Sequence, residues 1–378
     1  MGSKKRITML VVMAILLVVA SGCLGIACSC PNGDETNGGN GEGETQRIVF
    51  ESLRDAPSSP EDPNYQDFLE CYLKYLELYT MNVDGSDVQR ITDDDYSESQ
   101  ADISPDGTKI LCTIHYDPEG VLEGLEPGWE IAVMDIDGSN LTNLTNNDYL
   151  DTGAHWNHDG TKIVYVSDTA HRTADEVVPG DSYVPIQMDV YTMNADGSGK
   201  TQLTSAEPGG GYGDPSFSFS EPSKILYNHD EDPLPPHSPD LYMMDADGEN
   251  KKLILQHEDV DPQATAINDP MFSPDGSTVI FEAKMGDDGG GHVVYNIFTV
   301  DISGENLERI TQDDGVSEGM PQFSPDGTKL TFDRITRTGD TGGTRHIWVA
   351  NADRSDEECL SSFHYEGGAS WFPVVEDG

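Results

Sequence analysis

The chain has 378 residues, of which 69 are acidic and only 21 basic, so its formal net charge at pH 7 is −48. A surface this negative repels phosphates and anionic lipid head groups, which excludes nucleic-acid binding driven by charge. Cations are its natural counter-partners, either as the ion atmosphere of a haloadapted surface or at dedicated divalent-cation sites.

Residues 1–22 have the organisation of a secretory signal peptide. Basic residues at positions 4–6 precede an apolar run over 7–20, and Gly22 then precedes Cys23. This order is typical of a secretory signal, and the cysteine makes it resemble a lipoprotein signal peptide. The resemblance implies cleavage after Gly22 and lipidation of Cys23. The alternative is an uncleaved transmembrane anchor. The apolar run over 7–20 has only 14 residues, however, whereas a bilayer span needs roughly 20. Both place the bulk of the chain outside the cytoplasm.

Residues 23–45 are predicted to be a lipid-anchored flexible tether. Residues 31–44 consist largely of Asn, Gly, Glu and Asp without apolar periodicity, so they cannot bury enough surface to fold. Such a segment gives an end-to-end reach of roughly 20 Å. The tether would therefore hold the next domain just clear of a membrane.

From residue 46 onward, a pair of hairpins recurs. The first hairpin is an aromatic strand, a Ser-Pro-Asp-Gly turn and a Lys-Ile/Leu strand, a turn chemistry in which Gly accepts the left-handed conformation. Its clean copies are Ile103–Gly107, Phe272–Gly276 and Phe323–Gly327, and its weaker copies are Trp156–Gly160 and Phe219–Ser223.

The second hairpin is a Tyr-x-Met strand, an Asp-Gly turn and a short strand ending in Leu/Ile-Thr. Its turns recur every 50 to 59 residues, at Gly85, Gly138, Gly197, Gly248, Gly304 and Arg354. A four-stranded unit repeated at this spacing indicates a propeller blade. Where Ser223 or Arg354 replaces glycine, we expect a longer or differently shaped turn.

The two ends of the repeat region complete one blade. Arg47–Glu51 matches the second strand of a unit without a first, and Ala369–Pro373 matches a first strand without a second. The predicted fold of residues 46–378 is therefore all-β: a six-bladed propeller of four-stranded antiparallel blades, closed by the N- and C-terminal strands.

Insertions concentrate between the second and third strands of the units, as at residues 53–77, 115–129 and 168–188. In an up-and-down blade, these connections and those between blades share one face, here called the loop face. The Pro-Asp-Gly and Asp-Gly turns share the opposite face, here called the turn face. Binding is predicted on the loop face.

The repeat resembles the TolB-type propeller, which is related to the WD-repeat family. Leu78–Lys109, Ile297–Lys329 and Val190–Thr204 match its unit closely, and the resemblance covers roughly residues 46–375. It implies a propeller fold and an envelope-associated binding role. The family's additional N-terminal α/β domain has no counterpart in the sequence, so we expect a lipoprotein without it and do not carry over its partner.

No catalytic motif accompanies the repeat. Gly-x-Ser-x-Gly, the phosphate-binding Gly-x4-Gly-Lys-Ser/Thr loop and His-Glu-x2-His do not occur. The interpretation is therefore that the protein is not an enzyme. The alternative is a metal-dependent lyase or lactonase acting on a sugar acid.

Metal-ligand candidates are few. His115 and His229 follow the second strand of two blades, and loops between blades carry Asp93, Asp94, Asp95, Asp313 and Asp314. Calcium favours such oxygen clusters, but neighbouring aspartates are expected by composition in so acidic a chain. No cofactor is predicted, and calcium stays open as an alternative.

The cysteines show no metal-ligand spacing. Cys71 and Cys359 could form a disulfide in an oxidising compartment, whereas Cys112 lies in an apolar strand and is expected to be a buried thiol.

The sequence hypothesis is a non-catalytic, monomeric, lipid-anchored propeller that binds an envelope protein or polysaccharide through its loop face, with a structural surface protein as a further alternative.

Overall fold

The computed structural model describes residues 46–373, except for 57–74, 95, 116–128, 148, 171–186, 208–209, 221–222, 231–237, 288–292, 312–315, 338–342, 362 and 364. The signal peptide, Gly22, Cys23 and the tether therefore lie outside the described residues. So does most of each long loop on which binding was predicted.

The described residues form six four-stranded antiparallel sheets, so the predicted six-bladed propeller is confirmed. Each sheet is one blade, and its strands follow here in order from the first to the fourth. Blade 1 consists of β24 (Glu366–Trp371), β1 (Arg47–Ser52), β2 (Glu77–Asn82) and β3 (Gln89–Arg90). Blade 2 consists of β4 (Ser97–Ile103), β5 (Lys109–His115), β6 (Trp129–Asp135) and β7 (Thr142–Asn143). Blade 3 consists of β8 (Asp151–Trp156), β9 (Lys162–Ser167), β10 (Asp189–Asn194) and β11 (Thr201–Gln202).

Blade 4 consists of β12 (Gly211–Phe217), β13 (Lys224–Asp230), β14 (Asp240–Asp245) and β15 (Lys252–Leu255), and the short helix α1 (His257–Val260) follows it. Blade 5 consists of β16 (Ala266–Phe272), β17 (Thr278–Asp287), β18 (Val293–Asp301) and β19 (Glu308–Arg309). Blade 6 consists of β20 (Ser317–Phe323), β21 (Lys329–Arg337), β22 (Gly343–Asn351) and β23 (Glu358–Cys359).

The ring closes as the sequence predicts. Strand β24 pairs antiparallel with β1, with Trp371 opposite Ile48 and Ser370 opposite Val49. Both ends of the repeat region therefore belong to blade 1, and the first strands of the six blades contact one another around the axis.

Apolar residues of the second and third strands fill the space between neighbouring blades. Between blades 1 and 2, for example, Val49 and Leu78 pack with Ile110 and Ala132. Each of these side chains is at most 1 % exposed. The alternation of the strands thus builds six inter-blade cores rather than one central core.

The Leu/Ile-Thr ending of each repeat has a structural role. Thr92 Oγ1 accepts the backbone N–H of Leu78 at 2.9 Å. Thr145, Thr204, Thr311 and Ser361 make the same bond to the third strands of their own blades. In these five blades, the buried hydroxyl holds the end of the short outer strand against its blade, whereas blade 4 has Leu255 in its place.

The Ser-Pro-Asp-Gly turns follow their predicted chemistry. In the last copy, Asp326 accepts hydrogen bonds from the Ser324 hydroxyl at 2.6 Å and from the Thr328 backbone N–H at 3.0 Å. The turn containing Ser223 is one residue longer than the others, since Ser218 N–H donates to Lys224 O where Ser324 N–H donates to Lys329 O.

The prediction for Arg354 is wrong, because it adopts the same left-handed turn as the glycines, with φ 64°. Its N–H donates to Asn351 O at 2.8 Å, as Gly304 N–H donates to Asp301 O. The side chain is buried and pairs with Glu318 and Glu357. Those contacts compensate for the strained backbone.

Two cysteine predictions have an outcome. Cys112 is a free, buried thiol, and burial raises its pKa well above the usual value. Cys359 is disulfide-bonded, and its predicted partner, Cys71, lies outside the described residues.

Candidate functional site: the acidic channel

The first strand of each blade, which lines the central channel and is here called the inner strand, carries a β-bulge at its third or fourth residue. Each bulge shifts the register against the second strand of the blade. The bulge residues all have positive φ: Gln100, Gly153, Asp214, Asp269, Met320 and Gly368. Because each inner strand begins on the loop face, this ring of bulges lies in the half of the channel nearer that face.

Four of the six bulge residues are not glycine, although glycine would adopt this positive φ with the least strain: Gln100, Asp214, Asp269 and Met320. Asp214, Asp269 and Met320 adopt φ between 44° and 49°, and each precedes a proline, which favours extended backbone at the residue before it. Strained backbone of this kind persists where the surrounding structure requires it and clusters at functional sites. The ring of bulges is therefore the first indication of a site.

In five of the six blades, a side chain of the preceding blade accepts the bulge N–H group. Met320 N–H donates to Glu282 Oε2 at 2.9 Å, and Gly368 N–H donates to Asp333 Oδ2 at 3.1 Å. The same link joins Asp269 N to Asp214, Gln100 N to Glu51 and Gly153 N to Gln100, at 3.2 to 3.3 Å. These bonds hold polar side chains at the axis of the ring.

A second ring of side chains comes from the fifth residue of each second strand. In chain order these residues are Glu51, Thr113, Val166, Asn228, Glu282 and Asp333. The carboxylates belong to blades 1, 5 and 6, and each is at most 3 % exposed. Together with Asp214 and Asp269 of blades 4 and 5, they make one side of the channel strongly acidic.

Arg345 is a cation within this acidic side. Its Nη1 lies 2.9 Å from Glu51 Oε1, its Nε donates to Asp333 Oδ2 at 2.6 Å, and Nη2 contacts the Met320 sulfur at 2.7 Å. The guanidinium thus holds Glu51 and Asp333 as partners and leaves Glu282 without an ion pair among the described residues.

Two glycines let side chains cross into the channel. A Cβ added at Gly319 would collide with Glu282 Oε2, and one added at Gly367 would collide with the Arg345 guanidinium. Neither glycine needs a left-handed conformation, so their small size is the requirement. Both stand immediately before a bulge residue.

The electrostatic environment opposes ionisation of these carboxyl groups. Burial raises the pKa of Glu282 to about 7 and that of Asp333 to about 6, although Arg345 acts in the opposite direction on both. The pKa of Asp269 is also raised, by burial and then by the neighbouring Asp214. Buried carboxyls with raised pKa values are typical of functional sites.

A small cavity of about 20 Å³ opens beside these groups, at the junction of blades 5 and 6. Its lining residues are Glu282, Tyr295, Ser317, Gly319, Met320, Asp333, Ile335 and Arg345. Glu282 Oε1 and Asp333 Oδ1 are buried and have no hydrogen-bond partner within the described part of the chain. Two acceptors at this cavity therefore lack donors.

The opposite side of the channel is less charged. Gln100 Oε1 accepts from Thr113 at 3.0 Å and from Thr152 at 2.6 Å. Asp102 lies 3.4 Å from His155 Nδ1 and accepts the Trp156 N–H at 2.9 Å. These polar groups bind one another.

The predicted histidine candidates do not converge. His115 is buried at the end of β5, with its ring centroid 5.5 Å from that of Trp129. His229 stacks on Tyr212 with the ring centroids 4.1 Å apart, and its Nδ1 lies 3.0 Å from Gly211 O. His115 belongs to blade 2 and His229 to blade 4, with blade 3 between them.

The predicted aspartate candidates form no site in the described part of the molecule. Asp93 pairs with Arg90 at 2.8 Å, and Asp94 accepts the Tyr96 N–H at 2.8 Å. Asp95, Asp313 and Asp314 lie outside the described residues. Among the residues that are described, no three His, Cys, Asp or Glu side chains are placed to hold a metal ion.

The sequence interpretation missed the channel carboxylates, although a signal exists. Phe50-Glu51, Phe281-Glu282 and Phe332-Asp333 place an acidic residue directly after an aromatic one in the second strand of a blade. Aligning the second strands of the repeat would have brought these three to one position. Arg345 has no comparable signal, since other residue types stand at its position in the other blades.

No family model matches the chain. Among solved structures, TolB from Acinetobacter baumannii aligns with a TM-score of 0.58 and 15% identity, over 87% of this chain and 67% of that one. The chain has the TolB-type propeller fold. A protein assigned as TolB from Agrobacterium tumefaciens agrees, with a TM-score of 0.53 and 14% identity over 88% of this chain and 100% of its own.

At these identities, the likeness shows the fold alone. A curated relative, an uncharacterized protein from Agrobacterium fabrum, is 28% identical over 126 residues, which are 32% of this chain and 43% of the relative. The match thus spans less than half of that relative's length. Within the described residues of this TolB-type propeller, no helix is long and apolar enough to cross a membrane.

Proposed function

We propose that the protein is a binding scaffold of the cell envelope that receives a positively charged group of its ligand in the acidic side of the channel. The role is binding rather than turnover. The observation that carries the proposal is the convergence of buried carboxylates from blades 4, 5, 6 and 1 on one stretch of the axis.

Charge and geometry support a cationic ligand. Six carboxylates stand around the channel against one arginine and one histidine: Glu51, Asp102, Asp214, Asp269, Glu282 and Asp333. Low-dielectric walls lined by one sign of charge concentrate counter-ions and steer charged partners. A cationic side chain of an envelope protein, or an amino sugar of a polysaccharide, fits this chemistry.

The envelope location rests on the sequence of residues 1–45. Lipidation of Cys23 after removal of residues 1–22 would anchor the propeller to a membrane through the tether. Metabolic labelling with a radioactive fatty acid tests this part. We expect label on the wild-type chain and none on Cys23→Ser. Label on both proteins would contradict lipidation at Cys23.

Affinity capture from native envelope tests the binding role. Glu282→Gln removes one channel carboxyl group, while its amide oxygen can still accept the Met320 N–H, so we expect the fold to be preserved. Glu305→Gln is the matched control, because Glu305 is an exposed residue of the same blade. We expect the wild type and the control to capture the same ligand and Glu282→Gln to fail to capture it. Salt should release the captured ligand.

Two results would contradict the proposal. Equal capture by all three proteins would place the ligand elsewhere on the molecule. Turnover of sugar acids or lactones that requires a dialysis-resistant metal would favour the metal-dependent enzyme instead.

A further inference from the structure

The cavity at the junction of blades 5 and 6 has specific requirements for what it can hold. Glu282 is 2 % exposed and Asp333 is 3 % exposed, and each has one oxygen without a partner among the described residues. A buried acceptor without a donor costs free energy comparable to a lost hydrogen bond, and a charged acceptor costs more. A group that fills the cavity must therefore supply hydrogen-bond donors.

The charge balance calls for a cation. The ion pairs of Arg345 go to Glu51 and Asp333, while Glu282 lies close enough to Asp214 and Asp333 for each of them to disfavour its ionisation. A neutral donor such as water would satisfy the oxygens, but Glu282 would still be hindered from ionising by Asp214 and Asp333. A cationic donor satisfies both requirements.

The size of the cavity selects among cations. About 20 Å³ is enough for one group of the size of a water molecule, which an ammonium group is. A planar guanidinium carries five donors over a larger area. The described carboxylates are also not placed to coordinate a metal ion.

We propose that the channel recognises a primary ammonium group, which donates hydrogen bonds to Glu282 Oε1 and Asp333 Oδ1 in this cavity. The inference rests on the proposed function and specifies its ligand chemistry. Of the two ligand classes named above, the apolar Met320 and Ile335 in the lining favour the protein over the hydroxylated ring of an amino sugar, so the ammonium belongs to a lysine side chain or to the amino terminus of a peptide. Because the cavity of about 20 Å³ holds only the ammonium itself, the carbon atom that carries it must lie at the opening of the cavity.

Calorimetric titration of the full-length protein with small amines tests the proposal directly. Methylammonium chloride is the probe, with sodium, guanidinium and tetramethylammonium chloride compared at equal ionic strength. We expect methylammonium to bind at least tenfold more tightly than the other three cations. Glu282→Gln should weaken methylammonium binding at least tenfold, and Glu305→Gln should leave it within twofold of the wild type.

Two further probes identify the source of the ammonium. Nα-acetyl-lysine methylamide presents a side-chain ammonium, and alanine methylamide presents an amino terminus. Tighter binding of the first assigns a lysine ligand, and tighter binding of the second assigns a peptide terminus. Acetyl-norleucine methylamide has no ammonium, so the proposal is overturned if it binds as tightly as Nα-acetyl-lysine methylamide.

Other outcomes also overturn it. If guanidinium or tetramethylammonium binds as tightly as methylammonium, the cavity does not select a primary ammonium. If Glu282→Gln binds methylammonium as tightly as the wild type, the binding site lies elsewhere. If envelope capture depends on Glu282 but no ammonium selectivity appears, this inference fails while the proposed function stands. If ammonium binds at Glu282 but capture is unaffected by Glu282→Gln, the proposed function fails.

Discussion

The channel depends on a few residues that differ from their counterparts in the other blades. Gly319 and Gly367 leave room for Glu282 and Arg345 to cross the inner strands. Serine, threonine or asparagine stands at the corresponding position of the other blades, except for Gly213 in blade 4. Single residues therefore convert a structural repeat into an asymmetric acidic site.

Gly319→Ala tests whether this space positions Glu282. The new Cβ would collide with Glu282 Oε2, so the carboxylate must leave its bond to Met320 N–H. We expect a loss of about 1–2 kcal/mol in the free energy of unfolding, in the range of point substitutions that disturb packing. Urea denaturation measures it.

The double variant Gly319→Ala/Glu282→Ala is the control for this collision. Removing the Glu282 carboxylate removes the clash, so the two substitutions should cost less together than the sum of their separate effects. Strict additivity would show that Gly319 does not act through Glu282.

At the scale of elements, turns and strands were predictable because their chemistry is local. The bonds of Asp326 within its own turn follow from the Ser-Pro-Asp-Gly sequence alone. Arg354 shows where this reasoning fails. Its conformation depends on Glu318, which lies 36 residues away in the chain, and no local rule reports such a partner.

Arg354→Gly compares backbone strain with a buried ion pair. Glycine would relieve a left-handed backbone by about 1 kcal/mol. Removing Arg354 also takes one of two cationic partners from the buried Glu318, which is 2 % exposed and keeps its ion pair with Arg334. Loss of a buried ion-pair partner lowers the free energy of unfolding by about 3 kcal/mol. We therefore expect a net loss of about 2 kcal/mol by chemical denaturation.

Asn306→Gly is the matched control for Arg354→Gly. Asn306 has a similar φ of 55° but is exposed, so its substitution should change stability by less than about 0.5 kcal/mol. A stabilised Arg354→Gly protein would show that strain outweighs the ion pair.

At the scale of the whole molecule, the repeat revealed the number of blades and their closure, but not the channel. The repeat positions are shared by all blades, whereas the channel residues are those in which the blades differ. Their proximity depends on bringing together residues as distant in the chain as Glu51 and Arg345. The long loops, on which binding was predicted, lie mostly outside the described residues, so that prediction stays a prediction.

Closure can be tested by truncation. Ending the chain after Gly367 removes most of β24 and with it the pairing of Trp371 with Ile48. We expect the melting temperature to fall by more than about 10 °C, because an inner strand and its buried tryptophan are lost. Ending the chain after Pro373 is the control and should leave the melt unchanged, and equal melts for both truncations would refute closure.

The dependence of stability on pH has a predicted sign. Burial raises the folded-state pKa of Glu77 and Glu282 to about 7 and that of Glu98 to about 9. These groups stabilise the fold fully below their unfolded pKa of roughly 4.3, and the contribution is lost as pH rises through the folded values. Turn aspartates such as Asp326 have lowered pKa values because their own turns donate to them, so their contribution is lost in acid.

We therefore expect the urea midpoint to be highest near pH 5, within about one unit, and to fall steadily towards pH 9 at constant salt. Glu98→Gln should flatten the fall between pH 7 and pH 9. A midpoint that rises over this range would contradict the assigned direction of these shifts.

If the proposed function is correct, the ligand enters the channel. Photo-crosslinking in native envelope tests it most directly, with p-benzoylphenylalanine replacing either Met320, which lines the cavity, or Phe219, which is 47% exposed in a turn-face loop. We expect one dominant adduct from position 320 that Glu282→Gln abolishes, and none from position 219. Adducts from position 219 alone would contradict it.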